Sequence, residues 1–178
     1  MKHVLILVGS ARVGGCTQAA AETAKAAMEQ KGYSAELLRV ADMDIHGCIG
    51  CEQCWTGDFA CVQAVERCDL ILLASPMYYA ALSSQLKAVV DRFHSIRKSC
   101  RRTRIQLAGK ECALLVIGHV PEPEKYEGIC LQHKLMCAHL DPKNAGTFVV
   151  RGCFHEGDFQ TLDQGVWPSR VTEFAQSL

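Results

Sequence analysis

The order of the short apolar runs limits this chain to a small group of folds. Five runs have the length and composition of strands, and they cover residues 3–8, 33–40, 69–74, 111–117 and 147–151. Helical patterns lie between and after them, at residues 17–31, 82–96, 126–140 and 159–178. Strands that are apolar throughout and alternate with helices predict a parallel sheet covered on both faces by right-handed crossovers. A doubly wound α/β protein is therefore expected.

Length and charge suit a single domain over residues 1–178 that acts on a small molecule. Nineteen basic and nineteen acidic residues cancel, which argues against nucleic acid or an anionic membrane as a partner. No apolar run approaches the length of a membrane span, and no leader pattern precedes the first strand. A cytoplasmic location is the expectation.

The glycine-bearing segment after the first strand is a candidate anion site. Its sequence, GSARVGGCT over residues 9–17, leads from a strand into a helix, so its backbone amides would lie at the carboxyl edge of the sheet. The hydroxyls of Ser10 and Thr17 and the charge of Arg12 could bind a phosphate, and the glycines allow a close turn around it. The segment lacks the Walker A lysine and the dinucleotide GxGxxG spacing. It predicts a monophosphate site, the alternative being an ordinary tight turn.

A second segment, SPMYY at residues 75–79, follows the third strand. Its proline is expected to end that strand, which would make the segment a loop. Ligands of open doubly wound sheets bind where the strand order reverses, and this rule places the loop beside the phosphate segment. A phosphate site beside Met77, Tyr78 and Tyr79 suits a flat heteroaromatic ring with an attached phosphate, and FMN meets that description. Alternatively, the tyrosines pack as half-buried loop aromatics.

With these segments the chain resembles the NAD(P)H-dependent FMN reductase family of the flavodoxin-like superfamily, near its iron-sulfur flavoprotein branch. The resemblance is carried by GSARVGGCT, GCIGCEQC, SPMYYAALSSQLKAVVDR and LAGKECALLVIG, all between residues 9 and 118. It implies a flavodoxin-like, doubly wound, five-stranded parallel sheet of order 2-1-3-4-5 with helices on both faces. It also implies a homodimer or tetramer with flavin sites near the subunit contacts.

The resemblance further implies which residues bind FMN. Those expected around its phosphate are Ser10, Arg12, Cys16 and Thr17. Those expected along the isoalloxazine ring are Pro76, Met77, Tyr78, Tyr79, Gly118 and His119. Cys16 departs from the asparagine often found at its position, and a thiol is a weaker phosphate partner than an amide.

The expected function is that of an FMN-dependent oxidoreductase. FMN would take a hydride from NADPH or NADH and reduce a small acceptor such as a quinone or a flavin. No catalytic residue is assigned, because the flavin carries the chemistry. Two alternatives belong to other classes: an electron carrier that holds FMN and a [4Fe-4S] cluster, and a regulatory module that binds a phosphate ligand without turnover.

A cysteine-rich segment follows the second strand. Its first three cysteines have C-x2-C-x2-C spacing, and the full set is Cys48, Cys51, Cys54 and Cys61. These four thiolates resemble the ligands of iron-sulfur flavoproteins and could hold a [4Fe-4S] cluster. In the alternative that we favour, residues 58–68 form a shortened crossover helix with Cys61 in the core, and no cluster is bound. Zinc held by the first three cysteines with Cys61 or His46 is a third alternative.

The remaining cysteines that follow this segment mostly lie in apolar stretches, where a thiol behaves as a small hydrophobe. They are Cys68, Cys100, Cys112, Cys130, Cys137 and Cys153. No functional role is predicted for them.

Overall fold

A five-stranded parallel sheet forms the centre of the protein. The computed structural model describes residues 1–50, 60–97 and 106–178, and only the backbone of residues 60–62 and 163. The strands are β1 (His3–Val8), β2 (Ser34–Arg39), β3 (Leu70–Pro76), β4 (Glu111–Ile117) and β5 (Lys143–Val150). Their order, β2-β1-β3-β4-β5, confirms the predicted doubly wound class. The predicted bounds of β1 and β4 are correct to the residue.

Helices cover both faces of this sheet. They are α1 (Cys16–Gln30), α2 (Ala60–Arg67), α3 (Ser84–Arg92), α4 (Glu127–Leu140), α5 (Asp158–Thr161) and α6 (Val166–Ser177). Buried side chains of α1, α5 and α6 form one core, and those of α2, α3 and α4 form the other. Among the described residues, no helix combines the length and the apolarity that crossing a membrane requires.

Burial on both faces explains the continuous apolar character of the strands. In β1, Leu5 and Leu7 point to the core of α2, α3 and α4, while Val4 and Ile6 point to the core of α1, α5 and α6. Successive side chains of a strand alternate between faces, so a strand between two cores needs apolar residues at every position. This demand is why the central strands could be recognised in the sequence.

The third strand is longer than predicted, because Pro76 does not end it at Ala74. Pro76 pairs in register with Ile117 of β4, and the next amide, that of Met77, donates to the Ile117 carbonyl at 2.8 Å. Amides of alternate residues point to opposite neighbours, so a donor at residue 76 would face β1. The β1 acceptor that it would meet, the Gly9 carbonyl, accepts the Ser83 hydroxyl at 2.7 Å instead, so the missing proline N–H leaves no carbonyl unpaired.

Further boundary differences occur in the second half of the chain. β5 begins at Lys143, four residues before the predicted start at residue 147, because the polar segment ahead of it still pairs with β4. The predicted helix at 159–178 is divided into α5, a 3-10 turn and α6. Gly157 precedes α5 with φ of 88°, and Gly165 precedes α6 with φ of 75°. The left-handed conformation of Gly165 interrupts the predicted continuous helix.

The cysteine-rich segment is only partly described. Cys51, Cys54 and Cys100 lie outside the described residues. Cys48 is exposed. Cys61 belongs to helix α2, as expected if residues 58–68 form a shortened crossover helix. The buried Arg92 donates to the carbonyls of His46 at 2.8 Å and Gly47 at 3.3 Å, which ties the start of the segment to α3.

Candidate functional site

A cavity of about 710 Å³ opens at the carboxyl edge of the sheet. Its walls come from the loops after β1, β3, β4 and β5. The structure brings together all ten residues that the resemblance implied for FMN: Ser10, Arg12, Cys16, Thr17, Pro76, Met77, Tyr78, Tyr79, Gly118 and His119. Strands β1 and β3 are neighbours on opposite sides of the order reversal, and their loops therefore meet at one crevice.

One end of the cavity is the N-terminus of α1. Gly15 is the N-cap residue and supplies no side-chain acceptor, and the first turn contains no acidic residue. The first amides of a helix have no partner within it and carry partial positive charge, so they bind anions readily. The hydroxyl residues Ser10 and Thr17 are buried beside them, and the guanidinium of Arg12 is exposed. This end of the cavity suits a phosphate group.

The loop after β5 closes over this end, and the sequence analysis did not predict it. Arg12 Nη1 donates to the Phe154 carbonyl at 3.1 Å, and the Cys16 thiol donates to the His155 carbonyl at 3.0 Å. Cys153 and Phe154 line the cavity. The sequence did contain a signal for this wall of the cavity. The loop follows a predicted strand, and the carboxyl ends of parallel strands emerge at the same edge of the sheet.

Asp158 holds the loop after β5 in its conformation. Its Oδ2 atom accepts the amides of Phe154 at 2.7 Å and His155 at 2.6 Å. These two hydrogen bonds lower the pKa of the Asp158 carboxyl, since they stabilise its charged form. The carbonyls of the same two residues are thereby positioned to accept from Arg12 and Cys16.

The loop after β3 is a strained two-residue turn. Tyr78 and Ala81 exchange two backbone hydrogen bonds, of 3.2 and 3.0 Å, around Tyr79 and Ala80. These two central residues have φ of 50° and 61°, the left-handed pattern of a type I′ turn that normally selects glycine or asparagine. Such conformations cost on the order of 1–2 kcal/mol per residue and are concentrated at functional sites.

The two tyrosines of this turn are exposed. Tyr79 is fully exposed and Tyr78 is 58% exposed, so neither packs as a half-buried loop aromatic. Gly128 at the start of α4 allows the turn to approach, because a Cβ atom there would lie 2.9 Å from the Ala80 Cβ. The turn thus presents aromatic side chains and backbone amides at the cavity mouth.

Ser83 connects the loops after β1 and β3. Its hydroxyl donates to the Gly9 carbonyl at 2.7 Å, and its amide donates to Ser75 Oγ at 3.1 Å. The same hydroxyl accepts the Leu86 amide at 3.3 Å and so caps the N-terminus of α3. One buried side chain therefore sets the distance between the phosphate end and the aromatic end of the cavity.

The wall formed by the loop after β4 depends on Tyr126. Its hydroxyl donates to the Val120 carbonyl at 2.7 Å. Gly118 is required beside it, since a Cβ atom at that position would lie 2.7 Å from Tyr126 Cε1. Burial raises the pKa of Tyr126 to about 12, because the phenolate would lose its hydration.

Replacing Tyr126 by phenylalanine should change how stability depends on pH. At neutral pH the variant should lose about 1 kcal/mol of unfolding free energy with the Val120 hydrogen bond. In the unfolded chain tyrosine ionises near pH 10, whereas in the fold it remains protonated to about 12, so this contribution falls as the pH rises between these values. Urea titrations of both proteins from pH 7 to 11 should show the difference constant below pH 10 and smaller above it. A difference independent of pH would contradict the raised pKa.

Comparisons with known proteins point to one family. Residues 2–125 match the family model described as NADPH-dependent FMN reductase. An iron-sulfur flavoprotein of Methanocaldococcus jannaschii is 30% identical over 103 residues, which are 53% of this chain and 53% of that protein. An FMN-dependent NADPH-azoreductase of Staphylococcus saprophyticus is 24% identical over 176 residues, covering 96% of this chain and 86% of the relative.

A solved structure with the same fold agrees with the sheet order. The azoreductase of Bacillus anthracis superposes with a TM-score of 0.71 at 12% identity, and the alignment covers 100% of both chains. The match to the archaeal iron-sulfur flavoproteins is shorter. It covers about half of this chain and spans about half the length of those relatives.

Proposed function

Because this chain belongs to the NADPH-dependent FMN reductase family, we propose that it is an FMN-dependent oxidoreductase that takes a hydride from NADPH or NADH and reduces a small acceptor. Residues 1–178 would form one FMN-binding domain, with the acceptor a quinone, a flavin or a similar compound. The observation that carries the proposal is the single cavity between the uncapped N-terminus of α1 and the exposed aromatic turn. When bound, FMN supplies the chemistry of hydride acceptance and electron donation.

The phosphate of FMN would be held by the N-terminus of α1. Its donors would be the hydroxyls of Ser10 and Thr17, the guanidinium of Arg12 and the amide of Cys16. The thiol of Cys16 is directed elsewhere, to the His155 carbonyl. A cavity of about 710 Å³ lies within the range that ligands of this size occupy.

The aromatic turn would hold the flavin ring. Its two hydrogen bonds use the amides of Tyr78 and Ala81, and among the described residues no acceptor faces the amides of Tyr79 and Ala80. These two N–H groups can donate to the polar edge of the ring and stabilise negative charge on it. The side chains of Met77 and Tyr78 would cover the apolar part of the ring. The strain of the turn fixes these donors before the ligand arrives.

The opposite wall would exclude water and handle protons. The ring of His119 lies edge-on to that of Phe154, with centroids 5.6 Å apart, and both line the cavity. A ring nitrogen of His119 can donate a proton to an acceptor that becomes negatively charged on reduction.

The exposed ring of Tyr79, in the aromatic turn, would provide a surface on which the nicotinamide stacks.

We also propose that the protein is a homodimer or tetramer with its flavin sites near the subunit contacts. Apolar side chains are exposed around the cavity mouth, at Val13, Tyr79 and Phe154. On α4, Leu131 and Leu135 lie four residues apart and are also exposed, at 54% and 49%. Exposed apolar groups of this kind mark protein contacts, and sedimentation equilibrium gives the mass that tests the proposal.

Anaerobic absorption spectroscopy with a flavin assay on the same sample tests the oxidoreductase proposal. The purified protein should show the two-band spectrum of oxidised flavin, release FMN on denaturation, and bleach when NADPH or NADH is added. NADPH or NADH that carries deuterium at the hydride-donating position of its nicotinamide should bleach the flavin more slowly if hydride transfer limits the rate of bleaching. A colourless protein that takes up no flavin would instead indicate the regulatory module, and flavin that neither cofactor bleaches would contradict the reductase.

The electron-carrier alternative is supported by a specific observation, the 30% identity to an iron-sulfur flavoprotein over 103 residues. It requires that Cys48, Cys51, Cys54 and Cys61 together hold a cluster. Iron and sulfide assays on the same anaerobic sample decide between the two. About four irons and four sulfides per chain would favour the carrier, whereas stoichiometric FMN without iron would favour the reductase.

A further inference from the structure

Two thiols and one imidazole form a buried group on the far side of the molecule from the cavity. Cys112 is the second residue of β4, and His133 and Cys137 lie four residues apart on α4. Their exposed fractions are 1%, 1% and 4%. One nitrogen or sulfur atom from each lies within 4.8 Å of the other two. The proposed flavin chemistry uses none of them.

The group is remote from the flavin cavity. Cys112 stands at the beginning of β4, whereas Gly118 and His119 follow its end. Gly118 is six positions after Cys112 along the strand, a distance of roughly 20 Å at the usual rise. A ligand bound at this group would therefore not touch FMN.

The spacing of the three atoms matches the edges of a metal coordination shell. Around Zn²⁺, a thiolate at about 2.3 Å and an imidazole at about 2.0 Å with tetrahedral angles lie about 3.5 Å apart, and two thiolates lie about 3.8 Å apart. Cys137 Sγ is 3.5 Å from His133 Nε2. Cys112 Sγ lies within 4.8 Å of both of these atoms. The three atoms thus lie close enough together for one metal ion to be placed between them.

His133 is oriented as a metal ligand normally is. Its Nδ1 atom is hydrogen-bonded to Thr147 Oγ1 at 3.0 Å, which leaves Nε2 directed at the thiols. Metal-bound histidines usually use their other ring nitrogen for such a bond, and the partner fixes the ring. Thr147 belongs to β5, so three separate elements contribute to the arrangement.

A β-bulge places Thr147 on the face of the sheet where His133 lies. The pairing of β4 with β5 slips by one residue between Cys112 and Ala113, so that Thr147 pairs with Leu114. Without the slip it would pair with Leu115, whose side chain points to the opposite core. Bulges are found next to functional sites, where they redirect a side chain. Here the redirected side chain is the one that orients His133.

We propose that Cys112, His133 and Cys137 bind a thiophilic metal ion, Zn²⁺ or Cu⁺, that fastens α4 to β4. Two thiolates and an imidazole are the ligands that these ions prefer. Binding releases the two thiol protons to solvent, and the two thiolates then balance the charge of a divalent ion inside the apolar core. Cu⁺ is satisfied by three ligands and by the release of a single thiol proton, whereas Zn²⁺ requires a fourth ligand. The experiment identifies the ion.

The test uses full-length protein in which the other candidate ligands Cys48, Cys51, Cys54 and Cys61 are all replaced by serine. This background protein is refolded anaerobically with Zn²⁺, with Cu⁺, or with Co²⁺ as an optical probe of thiolate ligation, and its bound metal is counted after dialysis. Cys137→Ser and His133→Gln are then added singly. Cys130→Ser is the matched control, because Cys130 lies on the same helix outside the group.

We expect one ion per background chain, unchanged by Cys130→Ser and lost with Cys137→Ser or His133→Gln. Thr147→Val should weaken binding by about 10- to 100-fold, since it removes the partner that orients His133. X-ray absorption at the metal edge of the background protein, an independent measurement if the added substitutions cause misfolding, should show two sulfur ligands and one nitrogen ligand. Metal content unaffected by Cys137→Ser, or no metal after refolding with any of the three ions, would overturn the proposal.

Discussion

The Arg12→Ala variant should bind FMN about 10- to 150-fold more weakly than the unsubstituted protein, a loss of about 1.5–3 kcal/mol. Arg12 is exposed at the phosphate end of the cavity, where its guanidinium can form a charge-assisted contact with the ligand. The same side chain donates to the Phe154 carbonyl, so the substitution also releases the loop after β5. Fluorescence titration of the flavin-free protein with FMN measures the effect.

Riboflavin separates the two roles of Arg12. It carries the same ring without the phosphate, so the loss of a phosphate contact should leave riboflavin affinity nearly unchanged. Arg12→Lys is the matched variant, because it keeps the charge and loses the planar guanidinium. An equal loss for FMN and riboflavin would assign Arg12 to holding the loop. Unchanged FMN affinity in Arg12→Ala would refute the proposed placement of the phosphate.

The Gly9→Ala variant should lose on the order of 3 kcal/mol of unfolding free energy, a large part of the stability of an ordinary domain. Gly9 is buried at the end of β1, and a Cβ atom there would lie 2.6 Å from Ser83 Oγ and 2.7 Å from Leu86 Cβ. Both distances are far shorter than a normal van der Waals contact. Relief of the overlap requires Ser83 to move, which would break its hydrogen bond to the Gly9 carbonyl and its cap on α3.

Gly47→Ala is the control for Gly9→Ala. Gly47 is exposed, and a Cβ atom there would meet nothing within 4 Å. Urea unfolding of the three proteins should therefore show a loss only for Gly9→Ala, together with weaker FMN binding because the loops after β1 and β3 separate. Equal stability of the two variants would mean that the region around Ser83 is loose enough to accept a methyl group.

The cavity proposed to bind flavin was predictable because it is built from local signals at one edge of a parallel sheet. The segment at residues 9–17 combines glycines, hydroxyls and an arginine between a strand and a helix, and SPMYY follows the neighbouring strand. The rule that parallel strands end at a common edge then brings these segments together. The third wall of the cavity, at Gly118 and His119, came from the family resemblance.

The predictions that failed concern interactions whose partner is distant in sequence. Pro76 continues β3 because β1 stops pairing two residues earlier, which no local pattern reveals. Phe154 and His155 bind Arg12 and Cys16 through their backbone carbonyls, and a carbonyl carries no sequence signal. The conformation of Gln164 was also not predictable. Its φ is 60° in the 3-10 turn before α6, a left-handed value that normally selects glycine or asparagine.

The amino-acid sequence was sufficient for the fold class, the strands and the two loops of the proposed flavin cavity, because periodicity and turn chemistry act between near neighbours. The folded chain was needed for everything that depends on which distant residues meet. Cys112 and Cys137 were expected to be separate apolar residues. They form one group with His133 only because a crossover packs α4 onto β4 and a bulge turns Thr147 toward them. Burial and the register of neighbouring strands, which are properties of the packed chain, convert these ordinary core residues into a candidate metal site.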